Sequence, residues 1–167
     1  VRMACKTKRE KAIVELLYST GCRVSELCNL NITDVNFETK EVALFGKGSK
    51  HRTSYINARA EVALKEYLES RSDESPALIV HDTKPNIRMK KSGIERVIRM
   101  IMARTTGVGT HVTPHVFRHT TATIALDRGM SIVDVSRLIG HNNLGTTMEY
   151  ITANAQSVKD GHNNFVI

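Results

Sequence analysis

The chain has 167 residues, of which 41% are hydrophobic and 25% charged. That balance belongs to a globular domain large enough to bury a core, and it excludes a fibrous or disordered chain. The net charge of +7 points to a polyanionic partner, because Lys and Arg beside phosphates release counterions on binding. No apolar run approaches the roughly 20 residues that cross a bilayer. Cys5, Cys22 and Cys28 form no C-x-x-C pair, so a reduced, cytoplasmic setting is expected in place of a disulfide framework. The start at Val1 carries neither Met nor a secretory signal, and further sequence is expected ahead of it.

Residues 8–18 place Ala12, Ile13, Leu16 and Leu17 at helical spacing and predict an amphipathic helix. Ser19-Thr20-Gly21-Cys22 ends it. Arg23 then opens a second, short helix with Val24, Leu27 and Cys28 turned inward. An arginine at the positive end of a helix costs up to about 1 kcal/mol unless an anion offsets it. A plain surface pair with Glu26 at i+3 is the other reading. From residue 31 to 56 the period becomes that of strands: Val35 and Phe37, Val42 and Leu44, then Thr53 and Tyr55 alternate. Strands over 41–45 and 52–56 flank Gly46-Lys47-Gly48-Ser49-Lys50, so Lys47 projects from a hairpin tip. This is no Walker A loop, because Val42 stands where its first glycine belongs.

Asn57 caps a helix to about residue 70, with Val62, Ala63, Tyr67 and Leu68 as its buried stripe. Leu78-Ile79-Val80 reads as a small strand or packed loop, and 82–86 as a loop around Pro85. Ser92 with Glu95 starts a stronger helix carrying Ile94, Val97, Ile98, Ile101 and Met102 at helical spacing. Arg88, Lys90, Lys91, Arg96 and Arg99 cluster near and along it, either a solvated face or a track for a DNA backbone. With Lys50 and Arg52 of the hairpin, Arg88, Lys90 and Lys91 are the candidate DNA-backbone contacts.

Residues 113–150 carry the densest chemistry. Thr113 as N-cap and Pro114 at the first helical position start a helix. His115 and Arg118 fall in its first turn, where free N–H groups and the dipole favour an anion. Gly129 supplies the left-handed exit. Ser131 with Asp134 opens a short helix that Gly140 ends, which leaves His141 on a turn. Thr146 with Glu149 repeats the pattern and puts Tyr150 in the second turn of another short helix. A polar tail follows and ends in Phe165-Val166-Ile167.

Displacement at a phosphodiester needs a nucleophile, neutralisation of the non-bridging oxygens, and a proton for the leaving oxygen. Two arginines suit the second role, since a planar guanidinium bonds two oxygens at once. A lysine or histidine suits the third. A tyrosine serves as nucleophile where a base or positive field overcomes its pKa of about 10. Arg23, Lys47, His115, Arg118, His141 and Tyr150 supply all of these. No carboxylate cluster accompanies them, so neither a metal nor another cofactor is expected. A zinc pair of His115 and His119, with His111 nearby, is the metal alternative, but it lacks an H-E-x-x-H glutamate.

Arg-Val-Ser-Glu-Leu at 23–27, Gly-Lys-Gly-Ser-Lys at 46–50, Pro-His-Val-Phe-Arg-His at 114–119, Leu-Ile-Gly-His at 138–141 and Tyr150 occur in that order. Together they resemble the catalytic domain of the tyrosine recombinase, or phage integrase, family over about residues 12–150. The resemblance implies a mixed, mainly α fold with a small antiparallel hairpin or three-stranded sheet. It implies one catalytic domain over 1–167, with a core-binding domain outside this sequence and the tail 151–167 exchanged between protomers. Tyr150 would attack a DNA phosphate to give a 3′-phosphotyrosine and a free 5′-hydroxyl. Arg23 and Arg118 would hold the non-bridging oxygens and His141 would donate a further hydrogen bond. Lys47 would protonate the leaving oxygen, His115 would accept the tyrosine proton, and Glu26 would position Arg23. The implied partners are double-stranded DNA bearing specific recombination sites, three further copies of the chain on that DNA (a monomer when alone), and accessory directionality proteins, with no membrane. The implied place is the nucleoid of a bacterium or the product of a mobile element. A catalytically inactive DNA-binding relative and a type IB topoisomerase-like enzyme are the alternatives.

Overall fold

Helix α1, Lys8–Thr20, is the element that three later helices pack around. The computed structural model describes residues 1–46, 51–83, 85–105 and 112–140. Thr7 caps α1, its hydroxyl accepting from the Glu10 N–H at 3.1 Å. Ala12, Ile13, Leu16 and Leu17 are fully buried, as their spacing predicts. Each of the three larger ones contributes about 1.5–3 kcal/mol by burial. Val14 and Glu15 are buried as well, because α3 (Ala58–Glu69), α4 (Lys91–Ala103) and α5 (Pro114–Asp127) enclose α1 on several sides. The carboxylates caught in this packing are paired: Glu10 with Arg104 at 2.7 Å and Glu15 with Arg2 at 2.6 Å.

Helix α2, Val24–Asn29, follows, then an antiparallel sheet of β1 (Val35–Asn36), β2 (Glu41–Phe45) and β3 (His51–Tyr55) in the order β1-β2-β3. Val42 and Leu44 of β2 face the core. Their cross-strand partners are Ser54 and Arg52, which therefore point to the same side. Thr53 and Tyr55 do share a face, and it is the solvent face. Ser54 is satisfied there by donating to the Thr20 carbonyl at 3.1 Å.

Two helix details differ from expectation. In α3 the buried stripe is Ala60, Ala63, Leu64 and Tyr67, while Val62 is 55% exposed. At about 100° per residue Val62 lies across the helix from Ala60, Leu64 and Tyr67, whereas Ala63 and Tyr67 are buried as expected. Helix α4 begins at Lys91, ahead of Ser92, and its N-cap Lys90 makes no side-chain cap bond. Packing of Ile94, Val97, Ile98 and Ile101 sets that start in place of a capping box. Residues 78–80 are a packed segment held by single bridges, Asn31 to Ala77 and Val80 to Arg88. The last described element is α6, Ile132–Ile139, capped by Ser131 as predicted. Among the described residues no helix is long and apolar enough to cross a membrane.

Candidate active site

Several elements converge on the turn between α1 and α2. Gly21 closes α1 with φ 57°, and a β-carbon there would lie 3.3 Å from Ile139 Cγ2 and 3.4 Å from Thr121 Cβ. Glycine thus lets α5 and α6 approach the backbone of this turn. Arg23, two residues on, is the N-cap of α2, and its side chain is 44% exposed. Its own N–H donates to Glu26 Oε2 at 2.7 Å and its Nη1 to Glu26 Oε1 at 3.0 Å. Its Nη2 donates to the Gly140 carbonyl at 2.8 Å. The i+3 pair with Glu26 is therefore real, and it still leaves much of the guanidinium open to an anion.

Arg118 comes to the same place from α5. It is only 4% exposed, and its Nη1 donates to the Gly21 carbonyl at 2.9 Å. Two arginines far apart in sequence are thus anchored on one turn. His115 lies exposed at the N-terminal end of α5. Lys47, Lys50, His141 and Tyr150 lie outside the described residues.

Glu26 is the hub of the turn. It is 2% exposed, and its oxygens accept from the Arg23 N–H, from Arg23 Nη1, and from Arg52 Nη2 at 2.8 Å. Burial by itself raises the carboxyl pKa; the Arg23 N–H and the Arg52 guanidinium outweigh it and hold the pKa below its usual value. The carboxylate stays charged and keeps both arginines in place.

Two of the expected DNA-backbone contacts are engaged within the fold in this structure. Arg52 is turned inward, 13% exposed, and donates to Glu26 and to the Leu138 carbonyl. Its position opposite Leu44 dictates that direction, and the alternation of β2 carries the signal. Arg88 donates to the carbonyls of Cys28 at 2.9 Å and Leu30 at 2.7 Å, and to Asn31 Oδ1. It closes backbone acceptors left open after α2. Lys90 and Lys91 are exposed, with Lys91 only 3.8 Å from Glu95. Among the described residues, no three His, Cys, Asp or Glu gather into a group that would hold a metal.

Gly140 ends α6 with φ 68°, and a β-carbon there would meet Arg52 Cδ and Nε at 2.7 Å. Left-handed backbone and close approach both demand glycine. Gly140→Ala is expected to destabilise the fold by more than about 1 kcal/mol. Urea unfolding measures this, and an unchanged midpoint would show that Arg52 does not pack against that turn.

The sequence matches the phage integrase family over residues 2–157. It is 41% identical over 153 residues to the tyrosine recombinase XerA of Pyrococcus furiosus, covering 91% of this chain and 53% of that one. It is 39% identical over 147 residues to the tyrosine recombinase XerC of Corynebacterium glutamicum, covering 85% of this chain and 46% of that one. The chain thus spans about half the length of the curated relatives it matches. The crystal structure of XerA recombinase superposes with a TM-score of 0.80 at 32% identity, over 96% of this chain and 57% of that chain. A Tn1549 transposon integrase in complex with transposon right end DNA shares the fold, with a TM-score of 0.72 at 21% identity, over 94% of this chain and 58% of that one.

Proposed function

The chain belongs to the phage integrase family, and from that premise we propose that it is the catalytic part of a tyrosine-type site-specific recombinase. The observation that carries this reading is the anchoring of Arg23 and Arg118 on one turn, Gly21 to Arg23, at the positively charged start of α2. Two guanidiniums brought there suit a single phosphodiester, whose non-bridging oxygens they neutralise as charge builds up. DNA is the partner in the solved Tn1549 integrase complex, and the net charge of +7 suits the same partner here.

The proposed chemistry balances without a metal or an external energy source. The Tyr150 oxygen attacks the scissile phosphorus, and His115 accepts its proton. The bond to the 5′-oxygen breaks, and Lys47 protonates that leaving group. The product is a 3′-phosphotyrosine and a 5′-hydroxyl, with one phosphoester exchanged for another. Arg23 and Arg118 hold the non-bridging oxygens, and His141 adds a donor. Attack by the 5′-hydroxyl of a second strand then restores the tyrosine. Lys50, Lys90 and Lys91 contribute charge along the DNA backbone. The assembly proposed for the full reaction is a tetramer on paired recombination sites, formed from a chain that is monomeric alone, and by itself this chain binds DNA weakly.

The test is incubation with a nicked duplex whose cleaved fragment diffuses away, so that a covalent intermediate accumulates. A protein–DNA adduct that survives denaturation, with the oligonucleotide mapped to Tyr150 by mass spectrometry, is the expected result. Binding without any adduct, on a duplex that carries the chain's own recombination site, would instead favour a non-catalytic DNA-binding relative.

A further inference from the structure

We propose that Arg52 is a positioning residue of this site, holding Glu26 and, through it, Arg23 in register with the end of α6. The inference deepens the recombinase reading and names a residue that does not touch the phosphate. Arg52 offers two prongs of a planar fork: Nη2 donates to Glu26 Oε2 at 2.8 Å and Nη1 to the Leu138 carbonyl. The same carboxylate accepts from the Arg23 N–H and from Arg23 Nη1. Arg23 Nη2 then reaches the Gly140 carbonyl, two residues beyond Leu138. The bonds close a ring that runs from Arg52 to Glu26, to Arg23, to the end of α6, and back to Arg52.

That ring joins three elements. Arg23 heads α2, Arg52 sits on the hairpin strand that follows Lys47, and Gly140 directly precedes His141 in the chain. Arg52 is therefore placed to keep the hairpin, the first arginine and the α6 turn in one frame. The arrangement also carries a cost. Among the described residues Arg52 Nε is buried without a hydrogen-bond partner, pressed into the space that Gly140 leaves. A buried donor left unpaired works against stability, which marks a guanidinium serving geometry more than folding.

Two variants of the full chain test this, Arg52→Lys and Arg52→Met. Lysine keeps a positive charge beside Glu26 but presents a single ammonium and no fork. The first measurement does not depend on activity: the side-chain Nε–H resonance of Arg23 in nitrogen-15 spectra, assigned by its loss in Arg23→Lys. In both Arg52 variants this resonance is expected to shift, and its exchange with solvent to speed up by about tenfold. An Arg23 resonance unaltered in both overturns the proposal, whatever the DNA assays give.

The second measurement compares covalent capture of a nicked duplex bearing an ordinary scissile phosphodiester with one bearing a neutral methylphosphonate. A misplaced Arg23 matters most where two oxygens share a full negative charge. Arg52→Lys is expected to melt near the wild-type temperature, to slow capture by about tenfold on the diester, and to slow it by less than about threefold on the methylphosphonate. Equal slowing on both substrates, or wild-type speed on the diester, would mean that Arg52 only stabilises the fold. If the unaltered chain captures neither substrate, the recombinase reading fails, and the Arg23 resonance alone decides the role of Arg52.

Discussion

Tyr150→Phe is expected to abolish covalent capture of DNA, to more than about 10⁴-fold below wild type. The substitution removes one oxygen and nothing else of consequence. Phenylalanine keeps the ring, and the net charge is unchanged, so DNA binding in a gel-shift assay should stay within about twofold. On the proposed mechanism the rate falls so far because no remaining group replaces the phenol: Arg23 and Arg118 would stabilise an attacked phosphate but cannot form the bond. The comparison uses the nicked duplex, with adduct followed on a denaturing gel. Adduct at even a hundredth of the wild-type rate would mean that a different side chain attacks.

The largest expected effect on folding comes from Glu26→Gln. Glutamine preserves shape but removes the counter-charge between Arg23 and Arg52, two groups that approach Glu26 at 3.0 and 2.8 Å. Breaking a buried pair from one side costs about 3 kcal/mol or more. The pH dependence carries a definite sign. The Glu26 pKa is lowered in the fold, against about 4.3 for an unfolded glutamate. Between those two values the unfolded chain binds the extra proton. The stability Glu26 contributes is therefore complete above about pH 4.3 and disappears as pH falls through the folded value. Urea titrations across the acid range should show the gap between wild type and variant closing below that point. A gap that persists undiminished to about pH 2 would mean that charge is not its source.

Local signals made the helices and their ends legible. Asn57 and Ser131 cap as their side chains predict, and Gly140 leaves α6 in the left-handed region. Where packing overrides a cap the reading slips, as at Ser92, which lies inside α4 and does not start it. The meeting of Arg23 and Arg118 is not legible from either neighbourhood, since α1 and α5 must pack before Gly21 can receive the Arg118 bond. Only the ordered motifs of a known family pointed to it. The inward bonds of Arg52 and Arg88 were hidden for a different reason. A basic residue reads as surface, yet each satisfies acceptors that the fold leaves open inside. For Arg52 the inward direction was available in the alternation of Val42 and Leu44; for Arg88 no short-range pattern marks it.

The bond from Arg118 to the Gly21 carbonyl has a further bearing on how the molecule tolerates motion. Arg23 is joined to Gly21 through Cys22 alone, so a few covalent bonds and one 2.9 Å contact tie the Arg23 backbone to the Arg118 guanidinium. The Arg23 side chain is held separately, by Glu26, which Arg52 of β3 also binds, and by the Gly140 carbonyl at the end of α6. The pair is a calliper with one fixed jaw, Arg118, and one adjustable jaw, so sliding of the sheet or tilting of α6 alters its span from the Arg23 side.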